Sequence, residues 1–279
     1  METLKLKYIL EFPHFPTIQK LAFKYLSKNN TSCQVGGTAS LYTYNNYKFK
    51  VDVNRDENYI TLSIISHENE YDICGTILID QNDGLAAIQT VRRFTECTVP
   101  KFNKLDGMGT LILSFVLHII DRYKDKLRIK RILLTDNSTR ECDNCESKII
   151  LADMYFLQYG DTWYGKRGFR PYHEEDKVMT RQLQNYYGKN RDIIKNTLTS
   201  DIDLIDVIDN AIKEYNLNID TNEIFKIIKN NSDQPLRRTI TLLNNLSGTC
   251  CLFSIIQRDL INKLNMYSFY KHSFYKDLD

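Results

Sequence analysis

Lys104-Leu105-Asp106-Gly107-Met108-Gly109-Thr110 runs straight into Leu111-Ile112-Leu113-Ser114-Phe115-Val116-Leu117-His118-Ile119-Ile120, and the reading of this stretch decides the fold. Apolar residues cover most of its second half, as in a helix packed against a sheet, which predicts a core helix from Gly107 to about Lys124. A helix amino terminus leaves its first amides unpaired and carries about half a positive charge, so it attracts anions. Gly107 and Gly109 put no Cβ in the way of a phosphate, and Lys104 adds charge at the rim. The other reading of two such glycines is a tight turn before a buried helix. The loop lacks the Lys-Ser/Thr ending of a triphosphate-binding loop.

Upstream, residues 41–44, 47–53 and 59–65 carry the β-branched and aromatic residues of strands. Residues 71–80 and 85–98 continue the series across Gln81-Asn82-Asp83-Gly84, whose residues tolerate the positive φ of a tight hairpin. The expectation is an antiparallel meander, preceded by a strand at 4–12 and a helix at 17–26. Downstream, 129–135 is a short apolar strand, so strand, loop, helix and strand from 85 to 135 form a crossover that pairs its strands in parallel. A helix over 148–164 and a strand over 168–172 follow. Beyond Met179 helical patterns take over at 201–215, 222–229 and 252–264, with starts at Ser200-Asp201 and Thr221-Asn222-Glu223. The expected fold is α/β: a mixed, mostly antiparallel central sheet flanked by helices over residues 1–178, then a mainly helical C-terminal extension over 179–279, with the boundary near 177–190.

With 37 basic against 35 acidic side chains in 279 residues, the net charge of +2 disfavours nucleic acid as a partner. The longest apolar run, 111–120, is far short of the roughly 20 residues that span a bilayer, and the start resembles no signal peptide. No membrane association and an intracellular location are expected. Abundant Asn, Ile, Lys, Asp and Tyr with few Pro fit an AT-rich genome, a large DNA virus among the candidates. Seven scattered cysteines do not make a secreted framework, so reduced thiols are expected. Cys142-Asp143-Asn144-Cys145 has the gap of half a zinc site, but neither Cys250-Cys251 nor His173 stands at a supporting spacing, so no metal is expected.

Two separated segments resemble the GNAT superfamily of N-acetyltransferases. That family's signature, Arg/Gln-x-x-Gly-x-Gly/Ala opening a helix, is similar to Lys104-Leu105-Asp106-Gly107-Met108-Gly109 after Val99-Pro100, with Lys in place of Arg or Gln. Its Tyr-x-x-x-Gly-Phe signature is similar to Tyr164-Gly165-Lys166-Arg167-Gly168-Phe169. The resemblance covers residues 1–178 and implies acetyl-CoA as co-substrate, with the coenzyme A pyrophosphate on Val99, Lys104, Leu105, Asp106, Gly107, Met108, Gly109 and Thr110. It implies Asn137 beside the pantetheine, with an insertion near 139–150 separating it from Tyr164.

The reaction so implied is transfer of an acetyl group to a primary amine of a protein or small molecule. The thioester would sit where the two central parallel strands splay, with Tyr164 protonating the departing thiolate and Glu96 taking the amine's proton. The chain has 18 tyrosines, so an aromatic packing residue is the other reading of Tyr164. The alternative function is a catalytically degenerate fold kept as an interaction or structural module. The helical region offers apolar faces to a protein partner or to self-association.

Overall fold

The computed structural model describes residues 38–67, 73–91, 97, 108–142, 145–246 and 248–278. The strand expected at 4–12, the helix expected at 17–26 and residues 101–107 of the glycine loop lie outside them. Two compact units emerge, Met1–Leu134 with Tyr275–Asp279, and Thr135–Phe274. No helix among the described residues is long and apolar enough to cross a membrane.

In the first unit, β1 (Thr38–Tyr44), β2 (Tyr47–Arg55), β3 (Tyr59–Ser66), β4 (Ile73–Asp80) and β5 (Leu85–Val91) form the expected antiparallel meander. The turn between β4 and β5 is closed by Asp80, whose carboxylate accepts the amides of Asn82 at 2.9 Å and Asp83 at 3.3 Å. Gly84 ends it at φ +67, and a Cβ there would stand 2.7 Å from the Arg128 carbonyl oxygen, so only glycine fits.

Helix α1 (Met108–Leu127) packs on β4 and β5. It comes close at Gly75, where a Cβ would meet Ile112 Cγ2 at 3.3 Å. Phe115 is fully buried at the centre, stacked on Phe49 at 4.5 Å and tilted against Tyr44 at 5.4 Å. Strand β6 (Arg131–Thr135) then runs parallel to β5. The chain returns at β10 (Ser273–Asp277), which lies beside β6. Arg131 Nε donates to Asp277 at 2.7 Å, and the Leu278 amide to the Lys130 carbonyl at 2.9 Å.

The second unit opens with an antiparallel hairpin of β7 (Thr139–Glu141) and β8 (Lys148–Ile150), followed by α2 (Leu151–Tyr159) and β9 (Arg170–Tyr172). Helices α3 (Lys177–Asn196), α4 (Leu204–Tyr215), α5 (Thr221–Asn230), α6 (Leu236–Asn244) and α7 (Cys250–Lys263) follow. The expected helix over 148–164 is thus a hairpin strand, a shorter helix stopped by Gly160 at φ 67, and a turn.

The boundary expected near 177–190 falls inside α3. Only Leu183, Tyr187, Asn190 and Ile194 of that helix are buried, which makes its sequence look like a polar linker. The helices are also not a C-terminal extension, because β10 follows them in the chain. Asp203 and Asp220 cap α4 and α5 through the amides of Asp206 and Asn222, so those helices start a little away from the expected places. Asp176 caps α3 in the same way.

Phe156, Tyr187 and Phe269 meet edge to face or tilted at 5.2 to 5.7 Å in this unit's core. Buried Asn190 holds the segment after α7 with two bonds: its Nδ2 donates to the Tyr267 carbonyl at 2.7 Å and its Oδ1 accepts the Tyr267 amide at 3.0 Å. Phe115→Ala is expected to lower stability by about 3–5 kcal/mol, read as a fall in the urea midpoint. Asn190→Ala, which leaves both Tyr267 groups unpaired, is expected to lose on the order of 2–4 kcal/mol in the same measurement.

Candidate functional site

In the first unit the parallel pair β5 and β6 is short. Its register runs Leu85↔Arg131, Ala86↔Ile132 and Ala87↔Leu133, and there it stops, although β5 continues to Val91. The departure coincides with a register shift in the β4 and β5 ladder, where Thr76 faces Thr90 but Ile77 faces Ile88, leaving Gln89 as the extra residue. Such a bulge bends its strand and raises its twist, which parts β5 from its parallel neighbour. Backbone groups beyond Ala87 are thereby released from the parallel ladder, as a site for a ligand's polar atoms requires.

Helix α1 begins at Met108, with Gly109 half-buried and Thr110 exposed in its first turn. These are the described members of the expected pyrophosphate site. Val99, Lys104, Leu105, Asp106 and Gly107 lie outside the described residues, as does Glu96, the expected base.

In the second unit Asn137 is half-buried directly after Asp136. Tyr164 is not on a helix. It opens a single 3-10 turn, Gly165–Arg167, that Gly168 ends at φ 88. A Cβ on Gly165 would collide with the Tyr187 hydroxyl and the Asp161 carboxylate, and the Gly165 amide donates to Thr162 Oγ1 at 2.9 Å. The turn is thus locked from below. Tyr164 is 8% exposed, in edge contact with Trp163 at 4.9 Å and Phe169 at 6.1 Å and tilted against Phe274 at 6.2 Å. Burial first, then the charge of Asp136, push its phenol far above the ordinary range, against a smaller opposite pull from Arg167. The hydroxyl stays protonated at every physiological pH.

Asp136, whose charge reaches Tyr164, is one of two buried acids that no motif announces. Asp136, at the end of the apolar run Ile132-Leu133-Leu134, is fully buried. Its Oδ1 accepts from the Ser138 amide at 3.1 Å and from the Ser138 hydroxyl, while Oδ2 has no hydrogen-bond partner. Asp153, inside α2, accepts from Ser268 Oγ at 2.9 Å through Oδ2, and its Oδ1 is likewise unpartnered. Burial raises both carboxyls to about 6, and the charge of Asp136 adds to the rise at Asp153. Carboxyls poised there can hold or release a proton near neutrality. The one hint in the sequence is at Asp153, which interrupts the apolar stretch from Ile149 to Leu157.

The basic residues after Tyr164 lie on aromatic faces. Lys166 Nζ stands 3.7 Å from the Tyr159 ring centroid and Arg167 Cζ 4.3 Å from that of Trp163. Arg167 also donates to the Trp163 carbonyl at 2.6 Å.

Three cysteine pairs are bridged, Cys74 to Cys97, Cys142 to Cys250 and Cys145 to Cys251, which corrects the expectation of reduced thiols. Sequence spacing cannot reveal partners 106 and 108 residues apart. Comparison with protein-family models, with curated proteins and with solved structures finds no match to this chain.

Asp136 and Asp153 generate a pH dependence of stability. Their folded values of about 6 lie above the ordinary 3.8, so between about pH 4 and 6 the folded chain holds protons that the unfolded chain releases. Stability is expected to fall as pH rises through that window and to stay low above it. Asp136→Asn keeps the acceptor for Ser138 and removes the buried charge. It is expected to stabilise the protein by on the order of 2 kcal/mol near pH 7.5 and by little near pH 4, read by thermal melts at the two pH values.

Proposed function

We propose that the chain is an acetyl-CoA-dependent N-acetyltransferase that moves an acetyl group to a primary amine. The observation that carries this reading is the early end of the β5 and β6 pairing at Ala87 and Leu133, in the strands that flank the glycine loop and α1. A thioester carbonyl needs polar backbone atoms freed from a sheet ladder, and a pyrophosphate needs amides freed at a helix start. The β5 and β6 groups lie at the two ends of the connection that carries α1.

Bound acetyl-CoA would supply an activated acyl group. An amine attacks its carbonyl, a carbon–nitrogen bond forms, the carbon–sulfur bond breaks, and the thiolate leaves with a proton. Tyr164 is the proposed donor of that proton. Its desolvated phenol is held protonated, which rules against service as the amine's base. Glu96 is the proposed base, and Asn137 the proposed contact to the pantetheine.

The enclosure of Tyr164 by Trp163, Phe169 and Phe274 favours a second reading, a fold that keeps the tyrosine for packing and serves as an interaction module. Titration calorimetry separates the two. Micromolar to submillimolar binding of acetyl-CoA, lost in Gly109→Trp, is expected for the enzyme; no binding at millimolar coenzyme would remove it. In a mass-spectrometric screen of peptides and polyamines, Tyr164→Phe is expected to lower turnover by about 10- to 100-fold with coenzyme affinity retained. Unchanged turnover would strip Tyr164 of its role.

A further inference from the structure

Cys142 and Cys145 sit in the loop of the β7 and β8 hairpin, whereas Cys250 and Cys251 are the first two residues of α7. The hairpin loop is folded by its own backbone: the Cys142 amide donates to the Ser147 carbonyl at 3.3 Å, and the Cys145 amide to the Cys142 carbonyl at 3.5 Å. The other two sulfurs come from adjacent residues in the first turn of α7.

Hairpin and helix are held together independently of any sulfur. Gln257 of α7, 2% exposed, accepts the Ile150 amide at 3.0 Å through Oε1 and donates to the Lys148 carbonyl at 3.2 Å through Nε2. The four cysteines are thus brought together by a clamp two turns along the helix. The sulfurs of Cys142, Cys145 and Cys251 all lie within 4.8 Å of one another, and Cys250 is bonded to Cys142. Four sulfurs about 2.3 Å from one zinc ion would be about 3.8 Å apart, so reduction must let the two bonded pairs open to that spacing, while Cys142 already stands within 4.8 Å of Cys145 and Cys251.

Arg140 lines the cavity beside Cys250 and Cys251, and its buried Nε lacks a hydrogen-bond partner. A cation with an unused donor suits the net negative charge of a four-thiolate zinc centre.

We propose that Cys142, Cys145, Cys250 and Cys251 form one four-thiolate zinc site, of which the two disulfides seen here are the oxidised state. Conversion balances simply. Each disulfide takes two electrons and two protons from a dithiol reductant, which becomes a disulfide itself, and the four thiols release their protons as four zinc–sulfur bonds form. A tetrahedral set of four sulfurs selects zinc or iron. Its four ligands include none of the proposed acetyl-transfer residues, and its test does not use that activity.

The full chain, purified under reducing conditions, is to be analysed for metal by plasma mass spectrometry. One zinc per chain is expected, released when a thiol oxidant forms the two disulfides and regained after dithiol treatment with added zinc. Cobalt exchanged into the wild-type protein should show the ligand-field bands of tetrahedral thiolate, a readout that needs no variant. Cys145→Ser should weaken zinc retention at least tenfold, whereas Cys97→Ser, which removes a thiol from the other pair, should retain it. Reduced wild-type chain with all seven thiols titratable and no bound zinc would overturn the proposal and leave a two-disulfide staple. Equal zinc loss in Cys97→Ser and Cys145→Ser would also overturn it, as would bound iron in place of zinc.

Discussion

The first unit depends on one carbonyl. Gly84 O accepts both the Lys130 amide at 2.7 Å and the Arg131 amide at 3.2 Å, and this pair of bonds starts the parallel ladder between β5 and β6. It works only because Gly84 adopts a positive φ with the Arg128 carbonyl packed against it. A right-handed crossover through α1 is what delivers β6 parallel to β5. Three paired residues later the strands part. A strong anchor at one end and a bulge near the other convert an ordinary parallel pair into an opening.

Buried charge plays the complementary part in the second unit. Asp136 and Asp153 are retained where apolar residues would pack more stably, each satisfied at one oxygen by a serine and unsatisfied at the other. An arrangement that destabilises the folded state near neutrality is the pattern expected where function sets the residue. Tyr164 is tied to the same pair through Asp136, so the protonation of three groups is linked.

The meander was legible because each of its strands carries a local signal. Tyr47 to Val53 alternates, Tyr59 to Ile65 is β-branched, and the Asp83-Gly84 turn permits one geometry. Helix α1 was legible from its apolar surface. Helix α3 was not, since a helix that buries only Leu183, Tyr187, Asn190 and Ile194 leaves a mostly polar sequence. The hairpin of β7 and β8 was hidden for a different reason, because three-residue strands carry too few residues to establish a period. At the candidate site, Tyr164 and Asn137 could be named from motifs. Asp136 with Asp153, and Cys142 with Cys250, are juxtapositions made by tertiary packing, which no local pattern encodes.

The placement of the helices between β9 and β10 has a consequence for biosynthesis. Residues 135–274 must leave the ribosome before Tyr275–Asp279 can join the first unit. Until then β6 is an uncovered sheet edge bearing Ile132, Leu133 and Leu134, an invitation to pair with another chain. The nascent protein carries this exposed edge through the synthesis of half its length, so its yield depends on translation speed and chaperone supply as well as on the stability of the finished fold.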